Sequence, residues 1–269
     1  MNNNYKKYFE VNKETWDKKV SIHAKSEFYD VEGFKKGKTS LNAYEINEIG
    51  DVKGKTLLHL QCHFGQDTLS FSRLGAKCTG IDLSPEGIKQ AELLNDELGL
   101  DATFIESNLY DVPEKVNGEF DIVFASYGVI GWLPDLKIWG EIIAEKLKKG
   151  GVFYLIEFHP IVWMFDFLQT PPKLTYPYLE SEAIYEEYNG TYTNNDADII
   201  SKEYGWNHGL GEVVTALTEA GLQIEFLHEF EESPYNSFPE MDKTEDGMYV
   251  LKENQRMFPL LYSIRATKK

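Results

Sequence analysis

The stretch between residues 55 and 158 constrains the fold more than any other part of the chain, because short apolar runs alternate there with amphipathic stretches. The apolar runs predict five strands, at Thr56–Gln61, Lys77–Ile81, Ala102–Ile105, Phe120–Ala125 and Val152–Phe158. Helical patterns lie between them, at Gln66–Leu74, from the N-cap residue Ser84 to Gly99, and at Leu136–Leu147. This alternation predicts an α/β fold with a doubly wound, mostly parallel sheet and helices on both faces.

The C-terminal part of the chain adds one predicted helix and two predicted strands. The helix is expected at Gly209–Ala220, with Asn207 as its N-cap. The strands are expected at Leu222–Phe230 and Phe258–Thr267. The excursion between these strands needs no crossover helix, so we expect them to pair antiparallel and to complete a seven-stranded sheet.

Two further segments are expected to cap one edge of this sheet. Residues 1–54 are interpreted as an N-terminal helical cap segment, and residues 55–269 as the main domain. Within the main domain, an insertion at about residues 160–206 is rich in tryptophan, phenylalanine and tyrosine. Such a helical and aromatic cap would close over a small molecule and would hinder access of a large polymer. The alternative is that the aromatic residues only pack a helical appendage against the sheet.

The charge of the chain bears on its partners. A total of 27 Lys and Arg residues stands against 44 Asp and Glu residues, a formal net charge of −17, which argues against a DNA or RNA partner. No apolar run approaches the roughly 20 residues of a membrane span, so no membrane partner is expected. Cys62 and Cys78 are too few for a disulfide scaffold or a cysteine-rich zinc site. We therefore expect a cytoplasmic protein, of an oligomeric state that the sequence does not predict.

Ligands of doubly wound sheets bind beyond the carboxyl ends of the strands, so the residues that follow the strands are candidate ligand contacts. Gly65 precedes a helix and either lets the backbone approach a ligand or serves only the turn. Asp82 ends the second strand, where a carboxylate can accept ribose hydroxyls or cap the next helix. Asn108 can bind an adenine edge or shape a turn, and Ser126 follows the fourth strand. The G-x-G-x-x-G pattern that an NAD site needs is absent.

The ordered set LLHLQCHFGQDT, GIDLS, ESNLYDVP, FDIVFAS and LKKGGVFYLIE resembles class I S-adenosylmethionine (SAM)-dependent methyltransferases over roughly residues 54–158. The resemblance implies SAM as the cofactor and S-adenosylhomocysteine (SAH) as its product. It also implies where the cofactor lies: Asp82 at the ribose with Leu83 beside it, Asn108 and Leu109 at the adenine, and Gln61, Gly65 and Ser126 at the methionine end.

The first motif departs from the family pattern D-x-G-x-G-x-G. His59 stands in place of the acid, Gln61 and His63 stand in place of the first two glycines, and only Gly65 is retained. We interpret this as a variant found in a bacterial subgroup that also carries SYGVIGWLPD-like and EFHP-like segments. His59 and His63 lie on a strand and its following turn, so their spacing does not have the helical geometry of a metal pair, and no metal is expected.

Three residues are candidates for the acceptor side of the site. Tyr127 follows the fourth strand, and His159 ends the fifth, where it could act as a base, orient the substrate or simply pack beneath the insertion. His208 precedes the late helix and could act in the same way or be only a first-turn residue. The sequence does not identify the acceptor atom.

The leading hypothesis is a SAM-dependent methyltransferase with a small-molecule acceptor. The alternatives are a methyltransferase acting on protein or RNA, and a non-catalytic nucleotide-binding module in which the altered first motif no longer admits SAM. An open cleft would favour a macromolecular acceptor, and loss of SAM affinity in a folded protein would favour the non-catalytic module.

Overall fold

The structure is a computed structural model that describes residues 5–179, 182–252 and 257–269. Its helices are α1 (Lys6–His23), α2 (Val31–Lys35), α3 (Ala43–Ile49), α4 (Gln66–Arg73), α5 (Pro85–Leu98), α6 (Val112–Lys115), α7 (Leu136–Lys146) and α8 (Leu210–Glu219). Its longer strands are β1 (Thr56–Leu60), β2 (Lys77–Asp82), β3 (Thr103–Glu106), β4 (Phe120–Ser126), β5 (Leu147–Phe158), β8 (Ile184–Asn189), β9 (Ile200–Gly205), β10 (Leu222–Phe230) and β14 (Leu261–Lys268). Its two-residue strands are β6 (Phe165–Asp166), β7 (Lys173–Leu174), β11 (Glu232–Ser233), β12 (Asp242–Lys243) and β13 (Tyr249–Val250).

One seven-stranded sheet organises the chain, with the strand order β10-β14-β5-β4-β1-β2-β3. Strands β3, β2, β1, β4 and β5 are parallel, whereas β14 pairs antiparallel with both β5 and β10. The predicted fold class is therefore confirmed, including the antiparallel pairing of the last two strands. The strand order reverses between β1 and β4, which is where such sheets bind their ligands.

Alternation along each strand divides the sheet's core into two layers. Leu58 and Leu60 belong to the cluster under α7 and α8, whereas Leu57 packs on the opposite face with Phe71 and Phe124. All of these side chains are buried, as expected for parallel strands covered on both faces. The sheet is thus held rigidly from both sides, and this fixes the positions of the loops at its carboxyl edge.

Two local expectations differ from the structure. Strand β5 begins at Leu147 rather than Val152, because residues 148–151 form an irregularity in its pairing with β4 rather than a separate turn. Asn207 does not cap α8: the N-cap is Gly209, and the Asn207 side chain donates to the carbonyls of Trp163 and Pro177 at 3.2 and 2.9 Å. Its amide is drawn to backbone acceptors of the insertion instead of the helix.

The segments expected to form a cap contain α1–α3 and, within the described part of the insertion, several strands. The insertion's longest elements there are strands β8 and β9, so the helical part of the cap is N-terminal. Helix α1 presents Asn12, Thr15 and Lys19 on one face to strand β9: Asn12 bonds the backbone of Tyr204 in both directions at 2.8 Å, and Lys19 pairs with Glu203. Residues 1–4 of the predicted cap and 180–181 of the predicted insertion lie outside the described residues.

Across the described ranges, every helix is too short or too polar to cross a membrane.

Candidate functional site

A cavity of about 1730 Å³ lies at the carboxyl edge of the sheet, beneath the cap. Loops after β1, β2, β3 and β4 form its floor, and side chains from α1 and the insertion, among them Trp16 and Tyr192, form its cover. The predicted residues that line it are Gln61, Gly65, Asp82, Leu83, Asn108, Leu109, Ser126 and Tyr127. The fold therefore brings all seven predicted cofactor positions, and one of the three predicted acceptor-side residues, to a single cavity.

The loop after β1 has a left-handed backbone at all three positions where the pattern D-x-G-x-G-x-G has glycine. Gln61, His63 and Gly65 have φ values of 54°, 53° and 82°. For a residue with a side chain this conformation costs about 1 kcal/mol or more, so other contacts must hold the loop. The Gln61 amide donates to the carbonyl of Val129 at 2.8 Å, and the backbone N–H of His63 donates to Asp82 at 2.8 Å.

Gly65 has a packing role as well as a conformational one. A Cβ placed on it would lie 2.7 Å from Cε1 of Phe104 and 2.9 Å from Cβ of Ala91. The absence of a side chain therefore lets the loop sit against β3 and α5. This adds a structural reason for the glycine to the ligand approach expected from the sequence.

Asp82 joins the loops after β1 and β2, while Ser84 rather than Asp82 caps α5. One carboxylate oxygen accepts the N–H of His63 at 2.8 Å, and the other accepts the N–H of Ser84 at 2.9 Å. Burial raises the pKa of Asp82 to about 6, and these two N–H groups act in the opposite direction. Each carboxylate oxygen has a second lone pair, so the side chain can still accept from a ligand in the cavity.

Asn108 serves the turn after β3, as its alternative interpretation allowed. Its side-chain oxygen accepts the N–H of Tyr110 at 3.0 Å and caps the short 3-10 helix Leu109–Asp111. Its amide NH₂ group is not used by this cap. Leu83 and Leu109 bring apolar side chains to the same part of the cavity lining.

Asp67 is a cavity residue that the sequence analysis missed. It lies in the first turn of α4, and its carboxylate accepts the hydroxyl of Ser126 at 3.1 Å. Burial raises its pKa above the usual range for an aspartate. The signal in the sequence was an acid in the first helical turn directly after the loop. That signal is ambiguous, because carboxylates also favour helix N-termini for purely local reasons.

Tyr127 lies in a tightly fixed loop after β4. It adopts a left-handed backbone with φ of 44°, and the next residue is Gly128. The buried carboxylate of Glu157 accepts the backbone N–H groups of Gly128, Val129 and Ile130, the last two at 2.7 and 3.2 Å. These three hydrogen bonds to Glu157 offset the cost of the strained backbone and hold the loop in which Tyr127 lines the cavity.

Helix α3 contributes the partners of the Tyr127 hydroxyl. The Asn42 side chain, just before the helix, donates to this hydroxyl at 2.9 Å. Glu45 faces the same hydroxyl, and its carboxyl raises the pKa of Tyr127, which burial has already moved well above its usual value. Glu45 was not a candidate from the sequence, because nothing in a short helix of mixed polarity marks one acid as buried.

The histidines of the first motif do not converge on one another. The buried ring of His59 bonds Thr68 at 2.8 Å, and burial lowers its pKa to about 3. His63 instead points into the cap, where its Nε2 lies 3.0 Å from Nδ1 of His23. Burial holds the pKa of His63 well below its usual value, so both rings are neutral near pH 7.

His159 and His208 do not line the cavity, which corrects their assignment to the acceptor side. His159 accepts the N–H of Ile161 at 3.2 Å and places its Nε2 3.0 Å from Glu229 of β10, because the antiparallel strands beyond β5 draw it to that side. His208 bonds the carbonyl of Leu133 at 2.7 Å and Glu212 at 3.0 Å. Both are buried and join elements of the scaffold, and His208 precedes the N-cap of α8 rather than lying in its first turn.

Residues 58–153 match the model of a methyltransferase domain family. A ubiquinone biosynthesis O-methyltransferase from Xanthomonas oryzae pv. oryzae is 29% identical over 131 residues, which are 48% of this chain and 54% of that protein. The match therefore spans about half the length of this relative.

Solved structures extend the likeness beyond the matched residues. A SAM-dependent methyltransferase from Clostridium acetobutylicum aligns with a TM-score of 0.57 and 14% identity over 99% of both chains. One from Mesorhizobium loti aligns with a TM-score of 0.54 and 18% identity over 84% of this chain and 99% of its own. At these identities the likeness concerns the fold. The chain thus has the Rossmann-like fold of these SAM-dependent methyltransferases, and its residues 58–153 are similar to a methyltransferase domain.

Proposed function

We propose that the protein is a SAM-dependent methyltransferase that transfers a methyl group to a small-molecule acceptor. The observation that carries this proposal is the convergence of all seven expected cofactor residues on one cavity at the switch point of a methyltransferase fold. The methyltransferase-domain match over residues 58–153 supports the same activity.

The residues of the cavity fit SAM. Asp82 has free lone pairs for the ribose hydroxyls, and Leu83 and Leu109 offer apolar surfaces for the adenine beside the Asn108 amide. At the methionine end, Oε1 of Gln61 is buried without a hydrogen-bond partner among the described residues. A buried acceptor in this state costs roughly 1–3 kcal/mol, which a donor on a ligand would recover.

The methionine end also has a site for the cofactor's ammonium group. Asp67 presents a carboxylate beside Ser126 and Gly65 on the cavity wall. An ammonium bound there would form a charge-assisted hydrogen bond and would lower the raised pKa of Asp67. We assign this role to Asp67 in addition to the positions that the sequence suggested.

The acceptor is proposed to be small and either neutral or cationic. In this proposal residues 1–54 and the insertion at about residues 160–206 act as the cap, and described parts of both line the cavity. Among the lining residues in the described ranges, eight are acidic and three are lysines, so a polyanion such as RNA would be repelled. The relative from Xanthomonas oryzae is named an O-methyltransferase of ubiquinone biosynthesis, which makes phenols and catechols the first compounds to test.

The test is a screen for SAH formation. Purified protein is incubated with SAM and a panel of phenols, catechols, amines and thiols, with a mixture of denatured proteins and total RNA as macromolecular acceptors. We expect acceptor-dependent SAH from at least one small molecule, and a markedly lower rate from an Asp82→Asn variant at a SAM concentration below saturation. SAH formed only with protein or RNA would contradict the proposed acceptor class. If the folded protein binds no SAM, the non-catalytic module is favoured.

A further inference from the structure

We infer that Glu45 is the proton acceptor of this site and that it acts through the hydroxyl of Tyr127. The inference rests on the proposed function, and it assigns a positioning role to a residue of the cap segment. It also specifies the acceptor further, as a group that arrives with its proton, such as a hydroxyl.

The direction of the hydrogen bonds defines the path. Asn42 donates to the Tyr127 oxygen at 2.9 Å, so the tyrosine's own proton must point elsewhere. The same Asn42 nitrogen lies 3.5 Å from Oε1 of Glu45, so one amide group holds the carboxyl beside the hydroxyl. Tyr127 lines the cavity, whereas Glu45 is behind it and fully buried. The tyrosine therefore separates the cavity from a carboxyl that a ligand does not touch.

Among the residues that the structure describes, the groups that face Glu45 include no cation. Its Oε2 has no hydrogen-bond partner within the described ranges. The titratable groups that face it are Tyr127, Asp67 from α4 and Tyr154 from β5, and none of them carries a positive charge. Burial, followed by the nearby Asp67, raises the pKa of Glu45 to about 8, so its carboxyl is mostly protonated at neutral pH.

A cation in the cavity would change that state. A SAM molecule held by the residues of this cavity would bring a sulfonium charge and would supply the methyl group for the acceptor atom, with the electron pair of the broken bond left on sulfur. A positive charge near Tyr127 and Asp67 lowers the pKa of a neighbouring carboxyl, so Glu45 would lose its proton to solvent as SAM binds. The ionised Glu45 can then take the Tyr127 proton while the Tyr127 oxygen takes the proton of the acceptor. One proton thus passes from the acceptor to Tyr127 and another from Tyr127 to Glu45. The only proton lost to solvent is the one that Glu45 releases when SAM binds.

Proton-linked calorimetry tests this inference without an acceptor. SAM is titrated into the protein at neutral pH in two buffers with different ionisation enthalpies, and the difference in heat gives the protons released. We expect the wild type to release about half a proton or more in excess of Glu45→Gln. SAH, which lacks the sulfonium charge, is expected to give a smaller excess.

Two further variants sharpen the test. Glu232→Gln removes another carboxyl of the cavity lining, one that accepts from Tyr44 at 2.6 Å, and is expected to release protons as the wild type does. Tyr127→Phe removes the hydroxyl that stabilises the ionised Glu45, and is expected to reduce the Glu45-dependent release. Equal release from Tyr127→Phe and the wild type would overturn the path through the tyrosine.

Infrared difference spectroscopy of the wild type provides a readout that needs no variant. Adding SAM should remove the band of a protonated carboxyl group, and adding SAH should remove less of it. SAM binding with no such loss, or with equal proton release by Glu45→Gln, would overturn the inference and leave the proposed function intact. Absence of SAM binding would overturn both.

Discussion

Nε2 of His63 lies 3.0 Å from Nδ1 of His23, so the loop after β1 is bonded directly to helix α1 of the cap. One nitrogen of the pair must carry a hydrogen and the other must be bare, which requires at least one neutral ring. Tyr192 of the insertion packs on His23 with a distance of 4.6 Å between ring centroids. The proposed cofactor loop and both parts of the cap therefore meet at one buried imidazole pair.

This pair predicts sensitivity to acid. Burial, and secondarily Lys19, lowers the pKa of His23 to about 3, below its unfolded value of about 6.5. As the pH falls below about 6.5, the unfolded chain binds a proton that the folded protein does not, so the free energy of unfolding decreases. In a His23→Phe variant, the slope of the free energy of unfolding against pH should be shallower by up to about 1.4 kcal/mol per pH unit. Urea denaturation between pH 6.5 and 4.5 measures it, and an unchanged slope would contradict the neutral pair.

Glu45 predicts the opposite dependence on pH. Its folded pKa of about 8 lies above the value near 4.5 for an unfolded glutamate, so the folded protein holds the extra proton between these limits. The free energy of unfolding should therefore fall as the pH rises from 4.5 to 8, with an upper limit of about 5 kcal/mol. Glu45→Gln should remove most of this decline. Parallel curves for the two proteins, measured by urea denaturation, would show that Glu45 ionises normally in the folded state.

Gly65→Ala should destabilise the protein by about 2–4 kcal/mol, since it combines a left-handed backbone with overlap against Phe104 and Ala91. Gly99→Ala is the matched control, because Gly99 is also left-handed, with φ of 61°, but has open space around its Cα. That variant should cost only about 1 kcal/mol. The difference between the two losses of unfolding free energy, measured by thermal or urea denaturation, gives the cost of the steric overlap at Gly65. Equal losses would show that a methyl group at Gly65 does not overlap with Phe104 and Ala91.

Asp82→Asn should weaken SAM binding by about tenfold or more, since one charged acceptor for the ribose is replaced by a neutral amide. It should also lower the free energy of unfolding by about 1–2 kcal/mol, because an asparagine presents one acceptor oxygen to the two N–H groups that Asp82 serves. Asp96→Asn, on the exposed side of α5, is the control for loss of charge alone. Calorimetric titration gives the affinities, and equal affinities for Asp82→Asn and the wild type would remove Asp82 from the site.

The sheet and the residues at its carboxyl edge could be predicted because their signals are local. Apolar runs such as Phe120–Ser126 record burial on both faces, and a residue that ends a parallel strand, such as Asp82, must lie at the carboxyl edge. The position of His159 depends on contacts that are not local. It directly follows β5, and its ring turns toward Glu229 of β10, which lies beyond β14 in the sheet.

The cap could not be predicted in detail, because its contacts join residues far apart in the chain. Asn12, Thr15 and Lys19 are buried polar residues whose partners are about 190 positions later, on β9. In the sequence these side chains look like the solvated face of a helix. Glu45 was missed for the same reason, since only the fold places it behind Tyr127.

The central claim is that the loop with the substituted glycines still forms a SAM site, and calorimetric titration of the wild-type protein with SAM and SAH tests it most directly. The account predicts micromolar binding of both, at one site per chain, because Gln61 and His63 adopt the left-handed backbone of the glycines they replace. A folded sample that gives no heat of binding with either compound would contradict the claim.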